Sequence, residues 1–150
     1  MMKNINRICT VLYVAIIIVG CSSTLGINPA ETLDPCSPSE VVKYIDSLDD
    51  VYRQFEEVQE QALKTPRDSL YSKVENLQSI QRKAENIGVP PCAETAKSYL
   101  VEYMELINDA FSSFLYEAPE EDIQTSYYEA ALRHGYYMGA MDELRSLAAP

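Results

Sequence analysis

Proline placement is the strongest constraint on this chain. Pro38, Pro66, Pro90-Pro91 and Pro119 divide the stretch from residue 37 onward into four segments. None has a proline in its interior, where it would break a helix at a cost of about 3 kcal/mol. Within each segment apolar residues recur at spacings of three and four, the period of one helical face. In the first they are Val41, Ile45, Leu48, Tyr52, Phe55, Ala62 and Leu63. The second carries Leu70, Val74, Leu77, Ala84 and Ile87. The third carries Ala96, Leu100, Tyr103, Met104, Ile107, Phe111 and Phe114, and the fourth Ile123, Tyr127, Ala130, His134, Tyr137, Met141 and Leu144.

The boundaries carry their own signals. Ser37-Pro38-Ser39-Glu40 reads as a capping box with Pro at the first helical position, and Thr65-Pro66-Arg67-Asp68 repeats that layout. Gly88 stands where a left-handed C-terminal residue is wanted, ahead of Pro90-Pro91. Glu120, Glu121 and Asp122 occupy the first turn of the last segment, where acids complement the helix dipole. The expected helices are therefore about 38–64, 66–87, 93–117 and 120–148. No Asn-Gly or Asp-Gly hairpin turn and no sustained alternation argues for strands. Four amphipathic helices with short joints predict an all-α fold, an antiparallel four-helix bundle over residues 37–150.

Cys36 and Cys92 stand just ahead of the first and third helices. An up-down-up-down bundle brings those two starts to one end, so a structural disulfide is expected. A redox-active pair is the alternative. However, the chain has no CxxC, and neither cysteine has a neighbouring base to lower its pKa.

The N-terminus is a different kind of segment. Lys3 and Arg7 precede an apolar run from Ile8 to Val19 that ends at Gly20-Cys21, the layout of a secretory signal. About a dozen apolar residues fall short of the roughly 20 a helix needs to cross a bilayer. Ile18-Val19-Gly20-Cys21 resembles the lipobox of bacterial lipoproteins, with Ile18 and Val19 as permitted departures from its commonest residues. The resemblance covers residues 1–21 alone. It implies cleavage before Cys21, a diacylglyceryl group on the Cys21 thiol and acylation, typically by palmitate, of the new amino terminus. An ordinary signal peptide or an uncleaved anchor, with Cys21 a bystander, is the alternative. Two or three acyl chains, at about 0.8 kcal/mol per buried CH2, hold a domain firmly on a membrane. Ser22-Ser23 is not the Asp that resembles an inner-membrane retention signal, so the outer membrane is the expected destination if the source has one. Residues 21–36 then hold the lipidated Cys21 and a tether containing Ser, Gly and Pro.

Charge narrows the partners. The chain has 12 Lys and Arg against 23 Asp and Glu, a net charge of −11. Losing residues 1–20 removes two cations and no acid, leaving 10 against 23, or −13. Such a surface is repelled by phosphates, and no basic stripe offsets the repulsion, so nucleic acid is excluded as a partner.

Catalytic patterns are scarce. One His in the chain cannot furnish the paired Glu-x-x-His units of a di-iron bundle. CxxCH, HExxH, a Gly-rich phosphate loop and a nucleophile elbow are all missing. His134 with Met138 one turn on would be a metal or haem ligand pair; the simpler reading is a half-buried, hydrogen-bonded histidine between tyrosines. Asp46, Asp49 and Asp50 read as a solvated helix face, and no EF-hand spacing is present. No cofactor, metal or catalytic residue is expected.

One feature exceeds what a bundle needs. At 100° per residue, Tyr128, Leu132, Tyr136 and Gly139 fall opposite the core face of the fourth helix, where polar residues belong. Gly135 and Gly139, with Ala131, would let another helix approach closely. The face reads as a docking or self-association surface, or else the helix is wedged centrally with both sides buried. The chain is thus expected to be a lipid-anchored, extracytoplasmic helical domain, structural or protein-binding and without catalysis. The alternative is a bundle enclosing a small ligand, metal or haem.

Overall fold

The computed structural model describes residues 34–149. The signal segment, Cys21 and all but the last residues of the tether lie outside them. The fold is all-α: α1 (Pro38–Leu63), α2 (Arg67–Glu85), α3 (Pro91–Leu115) and α4 (Glu120–Ala148). The joints are three to five residues long, Lys64–Pro66, Asn86–Pro90 and Tyr116–Pro119. Such short connections leave each helix antiparallel to the one before it.

Each helix packs on its neighbours in the chain, α1 closes the ring against α4, and α1 also reaches α3 across the diagonal. The burial pattern follows from this arrangement. α1 and α3 each face three partners and need broad apolar surfaces. Val51 and Val58 join the expected stripe of α1, and Ala93 and Ala110 that of α3. α2 touches only α1 and α3, so a narrow stripe suffices, with Ile80 filling the gap between Leu77 and Ala84. Phe55, Leu77, Leu100, Met104 and Met141 are sealed in the centre.

Several local expectations are corrected. Ser37 is the N-cap of α1 by backbone position, but its hydroxyl caps nothing and has no partner. Glu40 pairs instead with Lys43 at 2.7 Å, so no capping box forms. Thr65 does not cap α2. Its hydroxyl donates to the Gln61 carbonyl at 2.7 Å, closing the end of α1, and Pro66 takes the N-cap position. Gly88 is not left-handed, because α2 ends at Glu85 with Asn86 as its C-cap, whose side chain donates to the Arg82 carbonyl. The left-handed residue is Glu117, φ 57°, which turns the chain from α3 toward α4. Leu63 and Phe114, expected in the core, are exposed: Ala62 and Phe111 take the inward positions, and Phe114 carries the Arg67 guanidinium 4.4 Å above its ring.

Cys36 and Cys92 are joined, with Cα atoms 6.1 Å apart. Cys92 sits inside the first turn of α3 rather than ahead of it, because that helix starts at Pro91. The bond ties the starts of α1 and α3 together across the diagonal. Its sequence separation of 56 corresponds to roughly 4 kcal/mol of stabilisation on the chain-entropy account.

Candidate functional site

Two constellations rise above packing, one inside the bundle and one on its surface. The inner one assembles where α1, α3 and α4 meet. Tyr52 and Nε2 of His134 share a hydrogen bond of 2.8 Å, and the two rings stack with centroids 5.6 Å apart. Tyr103 lies 5.2 Å from the His134 ring, and Tyr137 5.2 Å from Tyr52. The Tyr103 hydroxyl donates to Glu56, with the Gln59 amide oxygen 2.8 Å away. Burial, reinforced by Glu56, pushes the Tyr52 phenol up to about 12. Burial likewise drives Tyr103 and Tyr137 far above the ordinary tyrosine value, Glu56 adding to the first and Asp49 to the second.

His134 is thus the half-buried, hydrogen-bonded histidine of the simpler reading. Its Nε2 is engaged by Tyr52, while Met138 on the next turn is exposed. A metal at Nε2 would first have to displace the phenol. Among the described residues no group of three or more His, Cys, Asp and Glu side chains is placed to hold a metal ion. Asp49 of the first acidic stretch binds Arg145 of α4 at 3.1 Å, an ion pair bracing α1 against α4. Glu120, Glu121 and Asp122 lie in the first turn of α4, as the dipole favours.

The outer constellation is the far side of α4. Tyr128 is 68% exposed, Leu132 46% and Tyr136 53%, so this helix is not wedged with both sides buried. Gly139, about one turn beyond Tyr136, is exposed too, and among the described residues a Cβ added at Gly135 or Gly139 would meet nothing within 4 Å. Among the described residues no packing requires a glycine at either position. In a helix interior each costs about 0.5–1 kcal/mol relative to Ala, so the fold carries a penalty it gets no contact for.

No protein-family model, curated protein or solved structure matches this chain.

Beside the apolar strip runs an open groove of about 490 Å3 between α3 and α4. Leu106, Leu132 and Tyr136 form its apolar part, with Glu105, Asp109 and Glu129 around it. Arg133 is committed to Glu102 at 3.0 Å. Tyr136 is held in place by Tyr99, centroids 5.4 Å apart. Sequence reasoning found the α4 half of this surface but not the α3 half. Glu105, Leu106 and Asp109 are unremarkable on their own helix. Only the short α3–α4 joint, which makes the two helices neighbours, hints that their edges combine.

A smaller apolar cleft of about 230 Å3 lies at the bundle end opposite the disulfide, between Leu70, Phe111, Ile123 and Tyr127. No helix among the described residues is long and apolar enough to cross a membrane.

Proposed function

We propose that this protein is a lipid-anchored, extracytoplasmic helical module of the bacterial cell envelope that binds another protein through the outer face of α4 and has no catalysis of its own. The lipobox resemblance at Ile18–Cys21 supports the anchor, with Cys21 as the lipidated residue. The interaction role is carried by one observation: Tyr128, Leu132 and Tyr136 stand exposed around two mid-helix glycines whose side-chain space is empty. Tyrosine suits an interface because a large rigid body is buried while its hydroxyl stays wet. Two glycines let a second backbone come close.

The second reading, a bundle enclosing a small ligand, is favoured by the cleft beside Phe111 and Tyr127. At about 230 Å3 it is smaller than the 300–1,000 Å3 typical of ligand pockets, which places it behind the first.

Affinity-tagged full-length protein, solubilised from envelopes after growth with labelled palmitate, tests the proposal. The label is expected on the wild type and absent from Cys21→Ser. Tyr128→Lys with Tyr136→Lys is expected to keep the helical circular dichroism and lose the co-purifying protein. Retention of the same partner by the folded double variant would overturn the interaction reading.

A further inference from the structure

We propose that the groove between α3 and α4 receives a cationic amphipathic helix of a partner protein, with an apolar stripe flanked by Lys or Arg. This rests on the interaction reading above and names its chemistry. The apolar seat is Leu106, Leu132 and Tyr136, continued along α4 by Tyr128. Around it stand Glu105, Asp109 and Glu129, none of which has a cationic partner among the described residues. The one guanidinium in the groove, Arg133, is held by Glu102. An apolar seat ringed by free carboxylates complements an apolar stripe flanked by cations, the arrangement by which helices dock in grooves.

The same charges disfavour other occupants. A second copy packed about a two-fold axis along α4 would set Glu129 and Glu143 of one chain near the same acids of the other. Each chain carries a net charge of −11, or −13 without residues 1–20. Anionic lipid is repelled for the same reason.

The test uses full-length protein in non-ionic detergent and two synthetic peptides of roughly five helical turns. One has a Leu stripe flanked by Lys; the other has Glu in place of every Lys. Calorimetric titration is expected to show binding of the Lys peptide alone, weakening as salt is raised. Glu105→Lys with Glu129→Lys is expected to weaken it at least about ten-fold. Glu57→Lys with Glu75→Lys, the same charge change on α1 and α2, is expected to alter it less than about two-fold. Leu132→Glu, in the apolar seat itself, is expected to abolish binding while the helical signal persists.

Equal weakening by both charge pairs, or binding indifferent to peptide charge, would overturn the inference. So would sedimentation showing a dimer that Leu132→Glu dissociates, since the groove would then belong to a second copy. If the peptide fails while envelope co-purification still depends on Tyr128 and Tyr136, this inference falls and the interaction role stands. If that dependence is missing too, both fall.

Discussion

Tyr52, Tyr103 and Tyr137 set three phenols in the seam between α1, α3 and α4, and each is held protonated above the ordinary value of 10.0, chiefly by burial. In the unfolded chain these phenols ionise near 10. The folded state keeps its protons longer, so the linkage has a definite sign. The stability these groups contribute is complete below pH 10 and is lost as the pH rises through about 12 for Tyr52, and higher for the other two. The urea midpoint is therefore expected to fall steeply above pH 10, with part of the tyrosinate absorbance appearing only as the helices unfold. Tyr103→Phe is expected to cost about 1 kcal/mol at neutral pH, through the lost hydrogen bond, and to soften the alkaline decline. A midpoint that stays level from pH 9 to 12 would contradict the buried-phenol account. At this scale the sequence placed Tyr52, Tyr103, His134 and Tyr137 on inward faces, because periodicity reports faces. It could not report that Tyr52 meets His134 across 82 positions of chain, since that depends on the relative height of two helices.

At the scale of the helix, α4 departs most from a simple amphipathic pattern. Its core side, Ile123, Ala130, Tyr137, Met141 and Leu144, is fully ordinary. Its outer side spends helix propensity on Gly135 and Gly139 without recovering it in packing. Gly135→Ala and Gly139→Ala are each expected to stabilise the fold by about 0.5–1 kcal/mol, read as a thermal midpoint a few degrees higher. A lower midpoint for either would show that the glycine serves the fold rather than the surface. Prolines and apolar spacing made all four helices legible to within about two residues at each end. The caps were not legible, for reasons visible in their atoms. Glu40 was drawn to Lys43 instead of the start of α1, and Thr65 closed the helix behind it instead of opening the one ahead.

For the whole molecule, charge and covalent ties matter more than any single contact. The Cys36–Cys92 bond joins the starts of two diagonal helices, which antiparallel order places at one end. The acidic surface is distributed, and beside α4 it borders exposed apolar residues with open groove space between helices. Half of that site was legible, the α4 face. The α3 half depends on which helix edges adjoin and on which carboxylates find a cation elsewhere, and neither can be counted along one chain.

The outer face of α4 is the surface proposed above for partner binding. A photo-crosslinking amino acid placed at Leu132 in the full chain, within intact envelopes, tests it most directly. Tyr71, exposed on α2, serves as the control position. A discrete heavier adduct with another protein is predicted from position 132 and none from position 71. Adducts of equal yield from both positions, or none from 132 while the partner still co-purifies, would contradict the claim.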